Sequence, residues 1–123
     1  PLYRKAIRVS AGTSLVVPFA RCASVDEMLQ ILAEANIEPI ALTPRGEETI
    51  DSLPAAPRAL LLGTEGPGLP ADVLSRTRCV RIDMAPGLDS LNVAVASGIA
   101  LHEATRALRG AKAVVGTVCH DEI

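Results

Sequence analysis

The chain has 123 residues, of which 49% are apolar, enough for one domain with a core and too hydrophobic for a disordered segment. Aromatic residues make up only 2%, which excludes a platform of base-stacking rings. The net charge of −2 excludes a globally basic nucleic-acid binder, so any such contact must come from a local patch.

The first eleven residues, Pro1 to Ala11, fit a short helix ended by Gly12. Arg4 and Arg8 share a face of it and form, with Lys5, the densest basic patch. Ser14 to Ala20 is rich in β-formers and predicts a strand. Ser24-Val25-Asp26-Glu27 is a capping box. Behind it Val25, Met28, Leu29, Leu32 and Ala35 recur at helical spacing, with Asn36 as the terminal cap. Pro39 to Leu42 predicts a short strand, which completes a strand–helix–strand rhythm of the kind that builds parallel sheets. Arg45 to Pro57 is polar, with a helical turn at Glu47 to Leu53. Ala59 to Leu62 is a strand, Pro70 to Arg76 a short helix, and Cys79 to Ile82 the last strand. Leu91 to Leu108 is the longest helix, and Gly110 ends it. Its first half is crowded with Ala94, Ala96, Ser97, Gly98 and Ala100, which predicts close packing there. The tail from Ala111 to Ile123 has no assignable task. The pattern as a whole predicts a single α/β domain over residues 1–123, with a mostly parallel sheet flanked by helices.

Cys22, Cys79 and Cys119 are far apart and form no C-x-x-C, so neither a zinc site nor a redox pair is expected, and a reducing cytoplasm is the natural setting. No apolar run reaches the roughly 18 residues of a membrane span, and no signal peptide is visible. The chain opens with Pro1 on an uncapped, arginine-rich segment, as an interior piece of something longer would.

Two glycine-studded loops follow apolar strands. The first is Gly63-Thr64-Glu65-Gly66-Pro67-Gly68-Leu69. The second is Ile82-Asp83-Met84-Ala85-Pro86-Gly87-Leu88-Asp89-Ser90-Leu91-Asn92. Ligands of open α/β sheets bind beyond the carboxyl ends of strands, and glycine lets backbone approach a ligand closely. The first loop lacks the Lys-Ser/Thr of a phosphate loop and the spacing of a dinucleotide fingerprint. Glu65 suits an amine or a ribose hydroxyl, and equally a surface turn. Ser90 or Asp89 suits the cap of the long helix. Asn92, set among apolar neighbours inside a helical pattern, needs a partner from the first loop or from a ligand.

G-T-E-G-P-G-L, followed by I-x-M and D-S-L-N-V-A-V-A, resembles the second and third signature motifs of the SpoU (TrmH-like) branch of the SPOUT RNA methyltransferases. The match spans about Arg58 to Glu103, and Pro1 to Pro57 is similar to the middle of such domains. The resemblance implies an α/β fold with a C-terminal trefoil knot, Leu91 to Leu108 being the threaded helix. It also implies S-adenosylmethionine as cofactor, transfer of its methyl to a ribose 2′-hydroxyl of tRNA or rRNA, and a homodimer, with no metal and no membrane. Carried over by position, the main chain of Thr43, Gly63, Ile82 and Leu91 would hold the cofactor. Thr64, Glu65, Gly66 and Met84 would line its pocket, with Asn92 beside them. Glu65, Ser90 and Asn92 would be the catalytic set, and Arg4 and Arg8 the RNA contacts. His102 and His120 carry no catalytic expectation.

One departure stands out. The family's first motif, an Asn-x-Gly…Arg segment carrying the arginine that activates the hydroxyl, has no match here. The N-terminal portion of the domain is therefore expected to be missing, and the chain to bind cofactor without turning over. A catalytically inactive RNA-binding or dimerisation module is the alternative. An ordinary Rossmann-type nucleotide binder fits less well, because its glycines belong after the first strand.

Overall fold

The computed structural model describes residues 2–64, 66–88, 90–106 and 116–119. Among these residues four α-helices, α1 (Arg4–Val9), α2 (Val25–Glu34), α3 (Ala71–Arg76) and α4 (Val93–Arg106), accompany five strands. The strands are β1 (Glu38–Leu42), β2 (Glu48–Thr49), β3 (Arg58–Leu62), β4 (Arg78–Arg81) and β5 (Gly116–Cys119). They form one sheet in the order β2-β4-β1-β3-β5, and every pairing is parallel.

Local signals explain most of the elements. The Glu27 amide donates to Ser24 Oγ at 3.2 Å, and the Glu27 carboxylate accepts from the Ala23 amide at 2.6 Å. The capping box thus closes one residue earlier than its usual form. Helix α2 ends on Asn36, whose φ is +54°. Its amide donates to the Ala33 carbonyl and that of Ile37 to the Leu32 carbonyl, the paired bonds of a left-handed helix terminus.

Both faces of the sheet are covered, as a parallel sheet requires. Leu60 packs with Ile40, Ile50, Leu53, Val80 and Ala100 on the α4 side. Its neighbours Ala59 and Leu61 point the other way, to Met28 and Leu32 of α2 and Val73 of α3. The alternation along β3 is the two-residue period of a strand buried on both faces.

Three expectations need correction. Ser14 to Ala20 is not a strand: Thr13–Leu15 is a 3₁₀ turn entered through left-handed Ala11 and Gly12. Val16, Val17 and Phe19 are exposed and have no strand neighbour. Helix α4 begins at Val93, not Leu91, so Asn92 stands outside it. Ala94 and Gly98 of its small-residue half are exposed, and a Cβ added at Gly98 would meet nothing within 4 Å, so close packing holds only deeper, at Ala100. Positions 107–110, including the expected helix end, lie outside the described residues, as do Asp89 and His120. The tail supplies β5, which sequence patterning did not foresee.

An ion-pair chain ties the amino ends of four strands. In spatial order it runs Glu48 (β2), Arg78 (β4), Glu38 (β1), Arg58 (β3). Arg78 donates two bonds to Glu48, at 2.6 and 2.9 Å, and one to Glu38 at 3.3 Å; Arg58 Nε donates to Glu38 at 3.1 Å. The hydrogen bonds from Arg78 hold the Glu48 carboxyl below its ordinary range, and the two carboxylates in turn hold the Arg78 guanidinium above its own.

Candidate functional site

At the opposite end of the sheet, three adjacent strands, β4, β1 and β3, release their chains into loops. The chain crosses from β3 to β4 through α3 on one face and leaves β4 into α4 on the other. Crossovers on opposite faces leave a crevice at the strand ends between them.

The loop after β1 is short and braced. The Thr43 amide donates to the Val80 carbonyl at 2.9 Å, and the Gly46 amide to the Thr43 carbonyl at 3.0 Å. Arg81 Nη1 donates to the Gly46 and Glu47 carbonyls at 2.9 and 2.7 Å, while Arg81 Nε is paired with Asp83 at 2.9 Å. Gly46 is obligatory here, because a Cβ would lie 2.6 Å from the Arg81 nitrogen.

The loop after β3 folds back on itself. Thr64 and Gly68 form an antiparallel bridge, with the Gly68 amide donating to the Thr64 carbonyl at 3.2 Å. Gly63 lies so close to the backbone of Gly68 and Leu69 that a side chain would force the loop open. Gly66 and Gly68 adopt φ of +94° and +74°, which other residues reach only with strain. Glu65, expected at the tip of this loop, lies outside the described residues.

The loop after β4 turns at Ala85–Leu88, where the Leu88 amide donates to the Ala85 carbonyl at 3.2 Å. Pro86 followed by Gly87 at φ +90° is the composition of a type II turn. The loop then delivers Ser90 and Asn92, both exposed. The Ala94 amide donates to Asn92 Oδ1 at 2.9 Å. Asn92 is therefore the N-cap of α4 and not a buried amide in search of a partner. That bond uses its carbonyl oxygen and leaves the amide nitrogen available.

The three loops enclose a cleft of about 930 Å³. Thr43, Gly63, Thr64, Gly66, Ile82, Met84, Ser90, Leu91 and Asn92 all line it. Arg4 and Arg8 do not: they are exposed on α1. Sequence patterning missed the apolar walls supplied by Leu42, Leu62 and Leu69, and it missed Arg45 at the rim. The signal for Arg45 is its place three residues beyond the carboxyl end of the Pro39 to Leu42 strand. Among the described residues no group of three His, Cys, Asp or Glu side chains is placed to hold a metal, and no helix is long and apolar enough to cross a membrane.

Comparison with known proteins gives this geometry a context. The sequence profile of the SpoU rRNA Methylase family matches residues 1–102. An uncharacterised tRNA/rRNA methyltransferase of Mycobacterium tuberculosis is 47% identical over 113 residues, covering 86% of this chain and 39% of the relative. Among solved structures, an AdoMet-bound rRNA methyltransferase from Sinorhizobium meliloti superposes with a TM-score of 0.76 at 31% identity, over 85% of this chain and 41% of the other. An RNA 2′-O ribose methyltransferase gives 0.74 at 33% identity, over 85% and 41%. The chain thus spans about two-fifths of the length of these relatives.

Proposed function

The chain belongs to the SpoU rRNA methylase family, and we propose that it forms the cofactor-holding part of an S-adenosylmethionine-dependent ribose 2′-O-methyltransferase acting on tRNA or rRNA. One observation carries the proposal: loops from three neighbouring strands converge on a single cleft, with the motif residues on its wall.

The residues present fit the cofactor. A volume of about 930 Å³ lies within the range of small-molecule sites. Leu42, Leu62, Leu69, Ile82 and Leu91 offer apolar walls to a flat heteroaromatic ring. The main chain of Thr43, Gly63 and Ile82 offers polar groups at the strand ends and that of Leu91 before α4, and Thr64, Gly66 and Met84 complete the described lining. When bound, S-adenosylmethionine supplies an electrophilic methyl group on a sulfonium sulfur. Ser90 and Asn92 then present a hydroxyl and an amide where α4 begins, to orient the ribose, and Glu65 is proposed, from the motif alone, as the carboxylate of the set.

A ribose hydroxyl is a weak nucleophile near neutral pH and needs a base or a neighbouring cation. No Asn-x-Gly…Arg segment supplies one here. The 123 residues alone therefore bind cofactor and transfer little or no methyl. The exposed strip of Val95 and Ile99 on α4, with Ala94, Gly98 and His102 beside them, supports a homodimer through this helix. Threading of α4 into a trefoil knot is part of the same proposal.

Calorimetric titration with S-adenosylhomocysteine tests it. Saturable binding is expected. Gly63→Val should weaken it by tenfold to a hundredfold, from the roughly 1–3 kcal/mol of an overpacked site. No heat and no thermal shift at millimolar ligand would overturn the cofactor assignment. Absence of the Asn-x-Gly…Arg segment favours a second reading, an inactive RNA-binding or dimerisation module. It would show gel shifts with tRNA or rRNA and no response to S-adenosylhomocysteine.

A further inference from the structure

We propose that Arg45, at the rim of the cleft, grips a backbone phosphate of the substrate RNA; the assignment rests on the RNA-directed function proposed above. Arg45 is the one charged side chain among the described residues that line the cleft. Five other described arginines are matched by carboxylates: Arg58 with Glu38 at 3.1 Å, Arg76 with Asp26 at 2.6 Å, Arg78 with Glu48 at 2.6 Å, Arg81 with Asp83 at 2.9 Å and Arg106 with Glu103 at 2.8 Å; Arg4, Arg8 and Arg21, like Arg45, form no ion pair among the described residues, but they do not line the cleft. Arg45 forms no such pair among the described residues and is exposed.

Its mounting is rigid although its head is solvated. Pro44 fixes one backbone angle before it. The Arg45 amide donates to Thr43 Oγ1 at 3.4 Å, and Gly46 behind it is buried and clasped by Arg81. Because Arg81 is already paired with Asp83, it holds the loop without competing for an anion. A preorganised cation loses less entropy on binding than one on a mobile loop.

The anion follows from the chemistry of the substrate. A ribose 2′-hydroxyl lies beside its own 3′-phosphate, so a cleft that admits the sugar brings a phosphate to its rim. Guanidinium matches a phosphate with two parallel hydrogen bonds. A sulfonium inside the cleft is itself cationic, which favours an arginine facing outward over one buried beside it.

Binding of bulk tRNA and of an rRNA fragment, measured across a salt series with and without S-adenosylhomocysteine, tests this on wild type, Arg45→Ala and Arg45→Lys. Arg45→Ala should weaken RNA binding about tenfold on both RNAs and lower the slope of log K against log salt by about 1. Arg45→Lys should recover the slope and part of the affinity. Affinity for S-adenosylhomocysteine should stay within about twofold in both variants, which also shows that they fold. Unchanged RNA affinity and slope in Arg45→Ala overturns the proposal, as does a wild-type chain that binds no RNA, or a loss of S-adenosylhomocysteine affinity in place of RNA affinity. An Arg45-dependent RNA affinity in a chain that ignores S-adenosylhomocysteine would sink the cofactor reading and leave Arg45 standing.

Discussion

The amino end of the sheet is closed by ion pairs, while the carboxyl end is held open by glycines. At the first, Glu48, Arg78, Glu38 and Arg58 alternate in sign across four strands, each answering its neighbour. At the second, the loops carry hydroxyls, an amide and backbone groups, with charge confined to the rim among the described residues. A parallel sheet places all its strand starts on one edge and all its strand ends on the other. The same topology that gathers a binding cleft therefore gathers a separate edge where side chains can serve stability alone. The two should come apart under mutation, since distant sites without shared partners act additively.

The largest effect expected is at the amino edge. The Arg58 side chain is 4% exposed and that of Glu38 37%. Removing a partner from a buried pair costs about 3–5 kcal/mol, and the water around Glu38 reduces that to about 2 kcal/mol for Arg58→Ala. Urea unfolding should show this loss, while S-adenosylhomocysteine affinity measured well below the transition stays at its wild-type value. An affinity that falls together with stability would show the two edges to be one cooperative unit.

The sequence revealed these two edges unequally. Signals that act within a few residues were legible: the Ser24 capping box, the Asn36 terminus, the apolar run of β3, and the glycine loops beyond β3 and β4. The carboxyl edge is made of such signals, so most of its cleft could be named in advance. The ion-pair chain depends on which strands become neighbours. Arg78 meets Glu48 and Glu38 across 30 and 40 residues of chain, and no local pattern encodes that. Ser14 to Ala20 misled for a related reason. Leu15, Val16 and Val17 have the composition of a strand, but a strand needs an edge to pair with, and the left-handed step at Ala11 and Gly12 turns the chain into a 3₁₀ turn instead. Its apolar neighbours put Asn92 inside a helical pattern in the sequence. Helix α4 starts at Val93, two residues after the expected Leu91, and the same amide becomes a cap.

That cap supplies a smaller effect and a sharper separation. Asn92→Ala should cost about 1 kcal/mol, the ordinary loss of an N-cap. Asn92→Ser keeps an oxygen for the Ala94 amide and should hold stability to within a few tenths of a kcal/mol. Serine lacks the second polar arm of the amide, so it should still weaken S-adenosylhomocysteine binding if that arm reaches the ligand. Calorimetry and thermal melts on the two variants read the roles apart. Equal ligand affinity in wild type and Asn92→Ser would confine Asn92 to capping.

The smallest effect tests the amino edge by pH. The Glu48 carboxyl is held below its ordinary value near 4.5, chiefly by its hydrogen bonds from Arg78. A folded-state value below the unfolded one means that folding favours the deprotonated form. The contribution is complete above pH about 4.5 and disappears as pH falls through the lower folded-state value. Asp51, in the 3₁₀ turn after β2, is also lowered, first by a hydrogen bond from the Thr49 hydroxyl. Glu48→Gln should therefore flatten the acid limb of stability against pH only in part, with Asp51 supplying the rest. At neutral pH the variant should be slightly less stable than wild type, and the two curves should converge on the acid side. Curves that stay parallel down to pH about 3 would mean that Arg78 does not discriminate between the two protonation states of Glu48. The amino edge would then owe its ion-pair stability to Glu38 with its two partners, Arg58 and Arg78.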